Sequence, residues 1–227
     1  LWMARKPREA PRFTPIRRRS LRPQDFHRYF KRINGSEIFS VKELTHLALG
    51  AILVILVGLS ITGFTQPSST AAASLIIFAA AFLLHELAHK FVAQRRRFWA
   101  EFRLSMAGAL MTAVSIILPF FKIIAPGAVI VSGQASIEDA GRISFAGPVT
   151  NIVLAATFTL LYFLRLPIPY FSNIFMPAAY VNSLIAFFNL LPIGFLDGAK
   201  IMAWNKKIWA ASIAATFLMM YYSISLV

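Results

Sequence analysis

Apolar residues in this chain fall in long unbroken runs, not in the alternation of a half-buried strand or the narrow stripe of a surface helix. Four runs are long enough to cross a bilayer core, which takes roughly 20 helical residues. They are Leu44 to Thr62, Ala71 to about Gln94, Ile143 to Leu164 and Ile174 to about Leu196, and a fifth, Ile208 to Leu226, closes the chain. The stretch from Leu104 to Gly133 is also apolar, but Gly108, Pro119, Pro126, Gly127 and Gly133 interrupt it. This pattern predicts an all-α polytopic membrane protein of about five transmembrane helices, with a sixth not evident.

Charge decides the path of the interrupted stretch. The regions Arg5 to Arg32, Lys90 to Arg103 and Lys200 to Lys207 are basic, whereas the linkers Gly63 to Thr70 and Arg165 to Asn173 hold one Arg between them. Basic loops stay in the cytoplasm. Five crossings satisfy that placement only if the chain leaves and returns on the cytoplasmic side between Arg103 and Arg142. Leu104 to Gly133 is therefore read as re-entrant: a short helix or hairpin, then an extended segment, "PGAVIVSG". Irregular backbone at membrane depth needs protein or water to satisfy its polar groups, so this segment should line a cavity.

Composition agrees: of 227 residues, 58% are hydrophobic and only 14% charged, a membrane protein's balance. Without cysteine there are no disulfides, thiolate metal sites or cysteine nucleophiles, so a metal must bind through nitrogen and oxygen. The net charge of +14 is concentrated at one end, since eleven of the 23 Lys and Arg precede Asn34. Residues 1–43 read as a basic, flexible cytoplasmic tail that contacts anionic lipid, with a protein-docking arm as the alternative and a nucleic-acid arm ranked last. Residues 44–227 read as the membrane domain, integral to the plasma membrane of a prokaryote.

The chemistry sits in "LLHELAHKFVAQRRR", Leu83 to Arg97. On a helix, His85 and His89 project from one face and can bind one Zn²⁺, with Glu86 beside them to polarise water. At ~1.5 Å per residue the site lies roughly 9 to 15 Å below the arginines that follow. Ionisable groups inside a span are expensive and usually functional; the alternative is histidines that merely join helices. A catalytic zinc site needs a third protein ligand. Asp197, in "NLLPIGFLDGAK", leads because its span runs in the same direction as the HELAH span and reaches the same depth; the alternative is an exposed turn acid. Pro192 and Gly194 should kink or unwind the helix before it. Asn189 is placed either to stabilise an oxyanion or to make an interhelical hydrogen bond.

Three motifs in order, HELAH at 85–89, AGPVTN at 146–151 and NLLPIGFLDG at 189–198, resemble the site-2 proteases, and "APGAV" at 125–129 is similar to archaeal members. The resemblance covers roughly Leu44 to Lys207. It implies an intramembrane zinc metalloprotease cutting transmembrane protein substrates, with His85, His89 and Asp197 as ligands, Glu86 as general base and Asn189 as stabiliser of the tetrahedral intermediate. Gly147, Pro148, Asn151, Pro192 and Gly198 are its other motif residues, Asn151 serving either helix packing or site support. No stretch matches a PDZ or CBS domain or a Cys-based zinc ribbon. The extended segment offers Gly127, Val129 and Val131 as an edge on which a substrate strand pairs. A membrane ion or metal transporter using the same His/Glu/Asp cluster is the alternative function, and an inactive member acting as a scaffold is a third.

Overall fold

The structure, a computed structural model, describes residues 38–62, 68–118, 122–133, 135–165, 172–194 and 196–226. In chain order the elements are α1 (Val41–Thr62), α2 (Ser68–Arg95), β1 (Trp99–Leu104), α3 (Met106–Ile117), β2 (Gly127–Ser132), α4 (Ile137–Phe163), a 3-10 turn (Ser172–Ile174), α5 (Phe175–Asn189), α6 (Asp197–Trp204) and α7 (Lys206–Ile224). Residues 1–37 of the expected tail, and most of the two weakly charged linkers, lie outside the described residues. The expected tail boundary at residue 43 moves, because α1 already begins at Val41.

Among the described residues, three helices are long and apolar enough to cross a membrane: Val41–Ser60, Ala72–Arg95 and Ile137–Phe163. The fourth expected span is not one continuous helix, and the fifth, Ile208 to Leu226, corresponds to α7, which is not among these three. α5 has 15 residues and stops at Asn189, giving about 22 Å of helix at ~1.5 Å per residue. Pro192 supplies no amide hydrogen and Gly194 little helix propensity, so residues 191–194 are not helical, and α6 begins at Asp197. The expected unwinding is present, and it costs the span its length.

α4 is the central helix, packed against α2, α5 and α6, while α7 lies along α5. Its start is six residues earlier than the apolar run suggests, because Ser136 and Asp139 form a capping box that opens the helix at Ile137. Asp139 also pairs with Arg96, which ties that cap to the end of α2. Buried apolar side chains of α1, α2 and α5, among them Val54, Phe78, Phe82 and Val181, form the main core.

The end of α2 determines where the next strand begins. Phe98 N–H bonds to the Ala93 carbonyl at 3.0 Å and Arg97 N–H to the Gln94 carbonyl at 2.9 Å, with Arg97 at φ 68. This is a left-handed helix stop of the Schellman type, occupied here by Arg where Gly is usual. The turn delivers the chain into β1, which pairs antiparallel with β2 in the register Phe102↔Val129 and Leu104↔Gly127. The sequence reading anticipated the extended "PGAVIVSG" but not its partner strand β1.

Between the strands, α3 goes out and residues 122–126 return. Protein groups satisfy this return, as irregular backbone in an apolar setting requires. The Ser115 hydroxyl donates to Ile123 O at 3.0 Å, Thr112 Oγ1 accepts from Ala125 N–H at 3.3 Å, and Ser105 N–H donates to Pro126 O at 3.0 Å. Lys122 Nζ caps the end of α3 at the Ser115 and Ile116 carbonyls and reaches Ser60 of α1 at 2.8 Å.

Candidate metal centre

His85 and His89 stand one turn apart on α2 and are buried, their Nε2 atoms 3.1 Å from each other. Asp197, the first residue of α6, brings Oδ2 to 3.0 Å from His89 Nε2 and 3.6 Å from His85 Nε2. One ligand atom from each of the three lies within 4.8 Å of the others. These atoms come from two elements more than a hundred residues apart in sequence, and Asp197 opens a new helix after α5 has stopped at Asn189.

Hydrogen bonds on the far side of each ring determine what these nitrogens can do. His89 Nδ1–H donates to the Ile143 carbonyl at 2.8 Å. His85 Nδ1–H donates to Asn151 Oδ1 at 2.5 Å. Asn151 is held in that orientation because its own Nδ2 donates to Ala81 O at 3.0 Å and to Asn182 Oδ1 at 2.9 Å. Asn182 is in turn oriented by donating to Ala178 O at 2.8 Å. With both Nδ1 atoms donating, each neutral imidazole presents a bare lone pair at Nε2. Two such lone pairs and a carboxylate oxygen converge on one point, an arrangement that is repulsive until a cation lies among them. A nitrogen–nitrogen–oxygen donor set with room for a fourth partner is the composition of a catalytic zinc site, and it fits one zinc ion.

Glu86 lies beside this point, buried, and its Oε2 has no hydrogen-bond partner among the described residues. Both Glu86 and the three ligand residues line a cavity of about 560 Å³. The opposite wall is α3 and β2, including Gly127, Val129 and Val131. Asn189, the last residue of α5, also lines the cavity, with one amide hydrogen donated to Ile185 O of its own helix at 2.9 Å.

The motif glycines make close approach possible. A Cβ on Gly147 would sit 2.6 Å from His85 Nε2 and closer still to His89 Nε2, so only a hydrogen there lets α4 lie against both rings. A Cβ on Gly198 would overlap the Leu190 carbonyl, where α6 tucks under the end of α5. Pro148, inside α4, offers no N–H to the Ser144 carbonyl, and Ser144 lines the cavity. Pro192 sits exposed in the break.

The search of curated proteins finds a relative in Methanocaldococcus jannaschii, provisionally named as a zinc metalloprotease, 33% identical over 178 residues, which are 76% of this chain and 89% of that one. The chain belongs to the site-2 protease family of zinc metalloproteases. A second relative in the family, Rip3 of Mycobacterium tuberculosis, again provisionally named as a zinc metalloprotease, is 36% identical over 132 residues, 56% of this chain and 29% of that one. No family model and no solved structure matches the chain.

Sequence reasoning missed Asn182, which orients Asn151, and the Ile143 carbonyl that orients His89. Asn182 left a signal, a second Asn in the mostly apolar run "YVNSLIAFFN", seven residues before Asn189 and so near its face of the helix. The carbonyl left none. It also passed over Glu43 and Lys90, buried at 1% and 2% exposure, as parts of a flexible tail and a basic boundary.

Proposed function

We propose that this metalloprotease is an endopeptidase of the HExxH type that cuts membrane-protein substrates within or near their transmembrane helices. The observation that carries the reading is one cavity, largely apolar, lined by three metal donors, by Glu86, whose Oε2 has no partner among the described residues, and by the outer edge of β2. When bound, zinc supplies Lewis-acid polarisation of the scissile carbonyl and activation of water. His85, His89 and Asp197 hold it. Glu86 takes the proton from the attacking water and passes it to the leaving amine nitrogen, which its unpaired oxygen leaves it free to do. Asn189 has a second amide hydrogen to offer the developing oxyanion.

The geometry of the sheet supports strand pairing as the mode of substrate binding. Phe102 and Leu104 N–H point away from β2, because they donate to Glu43 at 2.9 Å and His46 at 3.2 Å. In an antiparallel ladder, residues opposite outward-pointing ones are also outward-pointing. Val129 and Gly127 are those partners, and Val131 follows by period two. Their N–H and C=O groups therefore face away from β1, on the side that lines the metal cavity. A substrate helix that unwinds locally regains its backbone hydrogen bonds on this edge.

Five crossings with the N-terminus and the site toward the cytoplasm of a prokaryotic plasma membrane fit the distribution of Lys and Arg, with α3, which carries no charge, entering from that side. Substrates are then transmembrane proteins, and the basic tail contacts anionic lipid. The transporter alternative has no observation in its favour.

The deciding experiment compares wild type with Glu86→Gln in detergent. Zinc should be bound in both, and cleavage of a transmembrane-helix substrate should fall by on the order of 10²–10⁴-fold in the variant. Undiminished cleavage by Glu86→Gln would refute the mechanism.

A further inference from the structure

Glu43 and Lys90 form an ion pair buried at 1% and 2% exposure, between α1 and the catalytic helix α2. Lys90 directly follows the ligand His89, and its ammonium also lies 4.0 Å from the centre of the Phe39 ring. Nothing in the proteolytic mechanism above uses either residue. Removing two charges from water is costly, and apolar residues of similar volume hold helices together as well or better. Burial of the pair therefore calls for a role that an apolar pair does not fill.

The second carboxylate oxygen supplies that role. While Oε2 of Glu43 accepts from Lys90, Oε1 accepts the outward N–H of Phe102 in β1 at 2.9 Å. One turn along α1, His46 Nδ1 accepts the next outward N–H, that of Leu104, at 3.2 Å. At the start of α1, Ser40 donates to Glu101 and accepts from Glu43 N–H at 3.0 Å. The first turns of α1 thus occupy the free edge of β1. A two-stranded sheet has two free edges, and each is a template for another strand. Here one is closed by side chains of α1, and the other, on β2, borders the metal cavity.

We propose that Glu43 is a positioning residue: its carboxylate, whose buried charge Lys90 balances, closes the β1 edge, so a substrate strand adds only at β2 and in one register relative to the zinc ligands. The inference rests on the strand-pairing reading. It concerns where the scissile bond is placed, and leaves the chemistry of Glu86 and the ligands unchanged.

The test uses two double variants of the full chain. Glu43→Leu/Lys90→Met removes both charges and the acceptor for Phe102 N–H while keeping volume. Glu43→Gln/Lys90→Met removes the charges but keeps a carbonyl acceptor. For a membrane substrate, the first is expected to keep full zinc content, lose about a hundredfold in kcat/KM, the scale of a misplacement near 1 Å, and cut at more than one peptide bond by mass spectrometry. The second is expected to return cleavage to one bond and recover most of the rate.

The proposal is overturned if the Leu/Met variant cuts the wild-type bond at the wild-type rate, or if the Gln/Met variant behaves no better than the Leu/Met variant. It is equally overturned if the Leu/Met variant loses zinc, which would make the pair scaffolding for the metal. Failure of the underlying reading is distinguishable, because it appears in the wild type: zinc bound, no membrane substrate cleaved.

Discussion

At Gly147 the absence of one carbon atom makes room for the metal centre. Both Nε2 atoms lie where a Cβ would intrude, so Gly147→Ala should express as a membrane protein yet retain no stoichiometric zinc by elemental analysis. Wild-type zinc in that variant would contradict the packing of α4 on α2. Asn151→Leu removes the acceptor that orients His85, and outer-shell partners of this kind are worth 10–100-fold in metal affinity on the order of magnitude. Competition with a chelator should show that loss, and Asn182→Leu should show a smaller one, since it acts through Asn151. His85, Glu86 and His89 were legible because helix periodicity alone puts i and i+4 on one face. The reasons for Gly147 and Asn151 were not, since they depend on which helix lies across α2.

The elements divide in the same way. The long apolar helices and the break at Pro192 and Gly194 are local properties, and both could be read. The strand β1 could not. "WAEFRL" is six residues with two charges, next to a run of arginines, and its extended state is stabilised by pairing with β2 some thirty residues on and by Glu43 and His46 in α1. Its register yields a sharp prediction for β2. The Val129 N–H points away from β1, so Val129→Pro should leave the sheet and the zinc intact and abolish cleavage of a membrane substrate. Ile130→Pro removes an N–H directed at β1 and should disrupt the sheet itself, seen as lost thermal stability. Unchanged cleavage by Val129→Pro would refute substrate pairing at this edge.

For the molecule as a whole, the orientation proposed from charge is open to a direct test. The chain has no cysteine, so single cysteines report without background. Lys42→Cys and Lys207→Cys should label with a membrane-impermeant maleimide only after the membrane is opened to the cytoplasmic side, whereas Gln66→Cys should label from outside. Labelling of Lys207→Cys from outside would break the expected common depth of the HELAH and LDG segments. Sequence alone indicated the membrane class, the basic segments, and two histidines and a glutamate at the spacing of a metal site, because hydropathy, charge and helical spacing are properties of neighbouring residues. Folding brought Asp197, already the leading candidate from span direction, into contact range of the histidines, aimed their lone pairs through Asn151 and Ile143, and set an edge of β2 along the cavity. Those outcomes depend on packing between residues distant along the chain, where the geometry of side chains in contact decides, and no local pattern encodes it.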